Sequence, residues 1–287
     1  MAKALLSIQS HVAFGYVGNR AATFPLQRLG FDVSAVNTVQ FSNHTGYGEW
    51  TGEVFSAGHI ASLIDGIEAR GGLDLCAGVL SGYLGEAALG EVVLDAVKRV
   101  KARNPDALYC CDPVMGDVGR GFFVREGIPE FFRDEALPMA DILVPNQFEL
   151  AYLTDRTVET LADALAATGE LRKRGVDQVL LTSFEPVDGD RDQISMLLDT
   201  GQGAWQVDTP RLPLNPAPNG AGDCTAALYM GHMLRLTSPA AALAATAASI
   251  YAVFEATADR GTRELALIDA QDVMVAPTRL FQPARIA

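Results

Sequence analysis

Short apolar runs that alternate with segments of helical period constrain this chain more than any other feature of it. Runs of strand length fall at Ala4 to Ile8, Asp32 to Asn37, Gly78 to Ser81, Leu108 to Cys111, Ile142 to Val144, Gln178 to Thr182, Ile194 to Asp199 and Ala204 to Asp208. Between and after them lie amphipathic or alanine-rich segments at Gly18 to Leu29, Ile60 to Ala69, Ala87 to Lys101, Ile128 to Glu135, Phe148 to Leu153, Val158 to Arg174, Ala221 to Leu234 and Pro239 to Glu255. A strand that is apolar on both sides must be covered on both sides, so this alternation predicts an α/β fold whose central, mostly parallel sheet has helices on both faces. The last two runs flank Thr200-Gly201-Gln202-Gly203, a hairpin signal that places an antiparallel element at one edge of the sheet. No linker or internal repeat interrupts the pattern, and one domain over residues 1–287 is expected.

In such a sheet, ligands bind beyond the carboxyl ends of the strands. Polar loops fall in that position: Gln9-Ser10-His11, Thr38 to Gly48, Gly82 to Gly85, Asp112 to Gly121 and Pro145 to Glu149. To these the chain adds Asn219-Gly220-Ala221-Gly222-Asp223, which opens a helix-forming stretch. Two glycines let successive N–H groups converge on one point, and the positive end of the helix adds to it, which makes an anion hole. A carboxylate beside such a hole suits phosphoryl transfer, taking a proton from an attacking hydroxyl while the amides stabilise charge on the moving group. Read alone, the same residues also suit a helix that merely begins on glycine with an aspartate serving its dipole.

The charge balance narrows the alternatives. The formal net charge is −13 and no basic run appears, which argues against a nucleic-acid surface. No Gly-x-Gly-x-x-Gly follows the first strand, which disfavours a dinucleotide-binding dehydrogenase. Met1-Ala2-Lys3 leads directly into a strand-length run, so no targeting segment is expected, and Ala240 to Ala256, broken by Thr246, Ser249 and Glu255, reads as a buried helix and not a membrane span. Cys76, Cys110, Cys111 and Cys224 form no Cys-x-x-Cys pair, and reduced thiols in a cytoplasmic setting are expected.

Taken together, several segments resemble the pyridoxal kinases of the ribokinase-like superfamily. The specific ones are Ile8-Gln9-Ser10-His11-Val12 with Gly15-Tyr16-Val17-Gly18-Asn19, and the run from Asn37 through Phe41-Ser42-Asn43-His44-Thr45-Gly46-Tyr47. Ser81 to Gly85, Asp112-Pro113-Val114-Met115-Gly116-Asp117, Pro145-Asn146-Gln147-Phe148-Glu149 and Gly220-Ala221-Gly222-Asp223 extend the likeness over essentially the whole chain. The resemblance implies ATP-dependent phosphorylation of the 5'-hydroxymethyl group of pyridoxal, and of pyridoxine and pyridoxamine as further substrates.

It assigns Asp223 as the general base and the amides of Gly220, Ala221 and Gly222 as the anion hole. Ser10, Thr45 and Gly46 would contact the pyridine ring and its substituents. A flat heteroaromatic ring also needs apolar faces, which Val17, Phe41 and Tyr83 are placed to supply. His44 suits either a substrate contact or a local hydrogen bond within its polar loop, and is left out of the catalytic set. Asp112 and Glu149 would lie near the triphosphate and its Mg2+, with Asp117 as a further candidate, Asn146 in support, and K+ as a second cation of the family. Val144, Thr182 and Thr209-Pro210-Arg211-Leu212 would follow the nucleotide. The chain departs from many bacterial members in having Thr182-Ser183 where they carry a lysine, and its Pro213 to Pro218 stretch reads as a stiffened lid over ATP. A homodimer is implied, with Ala21 to Leu29 and Ser34 to Val39 as candidate apolar faces. A hydroxymethylpyrimidine kinase shares the Gly-x-Gly-Asp chemistry but not the Phe41 to Tyr47 loop, and a non-catalytic pyridoxal phosphate binder would need no intact Asp223.

Overall fold

The computed structural model describes residues 3–287. In chain order its elements are β1 (Ala4–Val12), α1 (Asn19–Arg28), β2 (Asp32–Phe41), β3 (Gly52–Val54), α2 (Ala57–Glu68), β4 (Cys76–Ser81), α3 (Leu89–Arg103), β5 (Leu108–Cys111), β6 (Gly116–Asp117), β7 (Gly121–Phe122) and α4 (Ile128–Phe131). Then come β8 (Ile142–Leu143), α5 (Gln147–Thr154), α6 (Leu161–Lys173), β9 (Gln178–Phe184), β10 (Gln193–Thr200), β11 (Gly203–Pro210), α7 (Ala221–Leu236), α8 (Pro239–Arg260), α9 (Gln271–Val275) and β12 (Ala284–Arg285). One sheet runs β12-β11-β10-β9-β8-β5-β4-β1-β2-β3, and β6 and β7 form a separate small hairpin. The pairs from β2 across to β9 are parallel.

Strand residues divide between two cores with a period of two. Leu6 and Ile8 of β1, Tyr109 and Cys111 of β5, and Val179 and Leu181 of β9 pack under α2, α3, α5 and α6. Leu5, Cys110 and Leu180 point the other way, into the core that α1, α7 and α8 cover. That two-sided burial is the physical reason for near-continuous apolar runs. Helix starts carry local signals as well: Ser56 caps α2, Thr160 and Asp163 make a capping box on α6, and Ser238 with Pro239 opens α8, which ends on Gly261 in the left-handed conformation. By length and composition α8 could cross a membrane, but Ala242, Leu243, Ala247, Ile250 and Val253 are buried in the second core.

Several expectations change. The antiparallel elements sit at both edges of the sheet, because β3 turns back along β2 while β10, β11 and β12 extend the other side. The segment 38–41 belongs to strand β2 rather than to the loop after it, and helix α6 begins at Leu161, not Val158, because Thr160 is its cap. The apolar face of Ala21 to Leu29 is used within the chain: Ala21, Ala22, Leu26 and Leu29 are buried in the core shared with α7, while Val36 is buried in the opposite core and Val39 in a small separate cluster. Those residues are not free for a partner subunit.

Strand order reverses between β1 and β4, since the chain passes from β1 to β2 on one side and later returns to place β4 on the other. The chain therefore leaves the paired carboxyl ends of β1 and β4 toward opposite sides, and the crevice between those connections is where an open α/β sheet receives its ligand.

Candidate active site

Ser10 is a buried residue near the end of β1, beside the crevice. The chain leaves β1, loops out, and returns so that Gly18 pairs with His11. Gly18 has φ 54°, a conformation that favours glycine, and any Cβ there would overlap the carbonyl oxygen and hydroxyl of Ser10. Its amide faces the Asp223 carboxyl. One glycine thus brings the first polar loop and the first turn of α7 together, a role that the sequence reading did not assign to it. The only local cue is its place as the residue before a helix.

Asp223 lies in the first turn of α7, whose N-cap is Gly220 at φ 79°. A Cβ at position 220 would overlap the carbonyl oxygen of Tyr16, so the glycine is fixed by both conformation and contact. No atom lies near the Cβ position of Gly222, and the helix end opens outward there. The first turn of a helix leaves its amides without intrahelical partners, and those of Ala221 and Gly222 are at the end where such a helix can receive an anion. Asp223 is partly exposed as a residue, yet burial of its carboxyl raises its pKa, with the Gly18 amide pulling the other way.

Asp112 follows β5, and its N–H donates to the Ser81 carbonyl at 2.9 Å. The side chain is buried and Oδ2 has no hydrogen-bond partner. Burial raises its pKa well above the usual carboxylate range, and the nearby negative charges of Glu149 and Asp223 raise it further. Glu149 is buried at the start of α5, where Oε2 accepts the Asn146 N–H at 2.9 Å and Oε1 accepts the Met115 N–H at 3.1 Å. Asn146 completes a capping box by accepting the Glu149 N–H at 3.0 Å, and its Nδ2 donates to the Gly116 carbonyl at 2.9 Å. Burial pushes the Glu149 carboxyl up to about 8, against the opposing pull of the Asn146, Met115 and Gly116 amides. The structure therefore collects Asp112, Glu149 and Asp223 into one electrostatically linked group that is short of positive charge. Asp117 is exposed on the β6–β7 hairpin, where Oδ1 accepts the Val118 N–H at 2.8 Å, and it lies near enough to Glu149 to raise its pKa.

Val17, Phe41 and Tyr83 come together with Val12 and Val39 in a small apolar cluster separate from the two main cores. Trp50, which the sequence reading passed over, stacks on Phe41 with ring centroids 4.2 Å apart. Thr45 and Gly46 lie in a 3-10 turn, Thr45–Tyr47, that His44 caps by accepting the Gly46 N–H on Nδ1 at 3.1 Å. Of the two roles open to His44, this is the local hydrogen bond. Burial lowers its pKa, as do the nearby Arg120 and Arg263, so the neutral ring that accepts this bond is favoured.

On the nucleotide side, Val144 is buried and its N–H donates to Cys111, while the Thr182 N–H donates to the Pro145 carbonyl at 2.9 Å beside Asn146. Because β10 reverses direction and β11 reverses it again, the Thr209-Pro210 end of β11 reaches the same rim as the ends of β5 and β8. Arg211 is engaged within the protein: it pairs with Glu185 at 2.7 Å and its Nε donates to the Arg191 carbonyl at 2.9 Å. Leu212 follows it into the loop that leads to Asn219.

Residues 75–266 match the phosphomethylpyrimidine kinase family. A pyridoxal kinase of Rubrobacter xylanophilus is 56% identical over 99% of this chain and 97% of its own length, and one of Deinococcus radiodurans is 54% identical over 98% and 96%. The pyridoxal kinase of Leishmania donovani, solved in complex with ADP and pyridoxine, superposes with a TM-score of 0.91 at 32% identity and covers 99% of each chain. With the glycine-framed helix end, the buried carboxylates and the ring-sized apolar cluster all on one rim, these likenesses show that the chain belongs to the pyridoxal kinase family of the ribokinase-like fold.

Proposed function

We propose that this chain transfers the γ-phosphoryl group of ATP to the 5'-hydroxymethyl oxygen of pyridoxal, with pyridoxine and pyridoxamine as further acceptors. The ring lies with its edge toward Ser10 and the Thr45-Gly46 turn and its faces toward Val17, Phe41 and Tyr83, which directs the hydroxymethyl group to Asp223. As the oxygen attacks phosphorus, the Asp223 carboxylate takes its proton and ADP leaves, while the amides of Gly220, Ala221 and Gly222 stabilise charge on the transferred group. A raised pKa suits this work, because a base far weaker than its task accepts a proton poorly. The observation that carries the reading is the convergence of Asp223, the Gly18 amide and Ser10 at the open end of α7.

A divalent cation fits the same rim on chemical grounds. Asp112 offers a buried oxygen without a partner, its pKa is raised by burial and by the charges of Glu149 and Asp223, and burial raises that of Glu149. Asp112 would hold Mg2+ directly, and Glu149, with one backbone amide already on each oxygen, would reach it through water. When bound, Mg2+ neutralises triphosphate charge. Val144, Asn146, Thr182 and the stretch Thr209 to Leu212 line the way along which the nucleotide would lie, and K+ belongs in the assay as the second cation. Four buried free cysteines suit a cytoplasmic setting, and a homodimer would form through residues other than the buried Ala21, Ala22, Leu26 and Leu29.

The linked carboxylates give a pH dependence with a definite sign. A carboxyl whose folded pKa lies above its ordinary 4.5 contributes most to stability when protonated, and that contribution is lost as pH rises toward about 8, the value for Glu149. Bound cation reverses the trend by favouring the ionised form. Magnesium ADP should therefore raise the melting temperature more at about pH 8 than at about pH 6, and Asp112→Asn should remove the Mg2+-dependent part of that rise. Differential scanning fluorimetry with ADP alone as control checks both.

Apart from Tyr83, the acceptor-facing residues Ser10, Val17, Phe41, Thr45 and Gly46 lie outside the 75–266 match to the pyrimidine kinases, while the phosphoryl-transfer residues lie inside it. A coupled ADP-release assay should show turnover that depends on pyridoxal, with hydroxymethylpyrimidine a poor acceptor. Preference for the pyrimidine, or no acceptor-dependent ADP release, would overturn the assignment. Phe41→Leu keeps the cluster apolar but removes the stacking ring, and should raise KM for pyridoxal about five- to tenfold, the size of one aromatic contact, with KM for ATP unchanged.

A further inference from the structure

The residues that follow α8 reach back to the rim. Glu264 accepts the backbone N–H of Tyr16 on Oε2 at 2.8 Å and the hydroxyl of Tyr47 on Oε1 at 2.6 Å. Its own backbone forms a parallel bridge with Asn219, the residue before Gly220. Beside it, Arg263 donates from Nη2 to the Gly46 carbonyl at 3.0 Å, and its guanidinium lies over the Tyr47 ring, 4.6 Å from the centroid. Tyr16 is held on both sides, since its carbonyl oxygen is the atom against which Gly220 packs.

These contacts span three loops that share no strand pairing with one another at these residues: the 15–18 loop that delivers Gly18 to Asp223, the 45–47 turn that carries Thr45, and the lead into the anion hole. Thr45 and Tyr47 are exposed, and no residue of the turn is buried. Its position against the rest of the rim is therefore set by few contacts, and the pair Arg263–Glu264 supplies three of those found here: a hydrogen bond to Gly46, a stack on Tyr47 and a hydrogen bond from Tyr47. Both acceptor oxygens of one carboxylate are occupied, one by each loop, so a movement of either loop is felt by the other.

Building on the function proposed above, we propose that Glu264 is a positioning residue: its carboxylate locks the acceptor-binding turn to the loop and helix end that frame the base, so that the vitamin ring and the phosphoryl site keep one relative geometry. Both of its carboxylate oxygens are already taken by protein donors. It acts through Tyr16 and Tyr47, and misplacement of a reacting group by about 1 Å is enough to cost about a hundredfold in rate.

The test uses the full chain with Glu264→Ala, Glu264→Gln, Tyr47→Phe and the Glu264→Ala/Tyr47→Phe pair. Glu264→Ala should lower kcat/KM for pyridoxal about a hundredfold, through a lower kcat together with a higher KM for pyridoxal, with KM for ATP changed less than about twofold. Glu264→Gln should recover most of the loss, because a carboxamide oxygen still accepts from Tyr16 and its NH2 donates to a Tyr47 hydroxyl turned to accept. Tyr47→Phe should cost about tenfold, and the double variant should be no worse than Glu264→Ala, since both remove the same link. Hydrogen exchange over residues 43–49 supplies a readout without turnover: it should quicken in Glu264→Ala and Tyr47→Phe and return toward the intact rate in Glu264→Gln. Unchanged exchange and an unchanged pyridoxal KM would overturn the proposal, as would equal rises in KM for both substrates. Exposed Tyr47 keeps the test open if Glu264→Ala fails to fold. An intact chain that turns over no pyridoxal overturns the functional reading instead, while the exchange data still decide the role of Glu264.

Discussion

Gly220→Ala is expected to lower kcat/KM for pyridoxal phosphorylation by about a thousandfold or more, since loss of a single preorganised amide donor already costs about 10²–10³. Two separate effects add at this position. Residue 220 sits at φ 79°, where an alanine is strained by about 1–3 kcal/mol. Its new Cβ would also fall on the Tyr16 carbonyl oxygen, which is backbone and cannot swing aside as a side chain would. Relief requires moving either the start of α7 or the 15–18 loop, and both carry parts of the site. Gly222→Ala makes the informative contrast. Its Cβ meets no protein atom, so the chain should fold with an unchanged melting temperature, yet the methyl group enters the space where the phosphoryl group must sit. Steady-state kinetics with thermal melts separate the two: activity and stability fall together at position 220, and activity alone falls at 222.

Asp223→Asn should lower kcat by about 10²–10⁴, the usual contribution of a positioned general base, with KM for pyridoxal and ATP altered much less. The asparagine keeps the size of the side chain and an oxygen to accept the Gly18 amide, so the loop geometry survives while the proton acceptor does not. The pH profile adds a second signature. Burial raises the pKa of Asp223, so the acid limb of kcat/KM should lie above the ordinary carboxylate range. In the variant that limb should disappear. Because the charge of Asp223 raises the pKa of Asp112, the titration of Asp112 should also move downward once that charge is gone.

The parallel sheet was legible because its strands are buried on both faces, which leaves apolar runs such as Ala4 to Ile8 that few other arrangements can accommodate. The edges were harder to read. Strand β3 consists of Gly52, Glu53 and Val54, too short and too polar to show a period, and only its pairing with β2 makes it a strand. Of the site, Asp223 and its glycines were legible because a tight turn, an anion hole and a helix start demand particular residues at fixed spacing. Asn146-x-x-Glu149 reads equally as a helix cap and as a ligand set, and in the structure it caps α5 while standing beside Asp112. Glu264 as a tie between loops carries no local signal, and Gly18 beside Asp223 carries only its place before a helix. Their partners lie far away in sequence, and only the folded chain brings them together. Arg211 illustrates the reverse case, a residue placed at the rim by its strand whose guanidinium is already committed to Glu185 and to backbone carbonyls.

The central claim is that one rim holds the vitamin alcohol, Asp223 and the nucleotide in line, and a crystal structure with pyridoxal and a non-hydrolysable ATP analogue tests it most directly. The account predicts the hydroxymethyl oxygen within about 3 Å of an Asp223 carboxylate oxygen, the reach of a general base, with the ring edge toward Ser10 and Thr45 and the γ-phosphate over the amides of Gly220 to Gly222. Pyridoxal bound elsewhere, or bound here with its hydroxymethyl group turned away from Asp223, would contradict it.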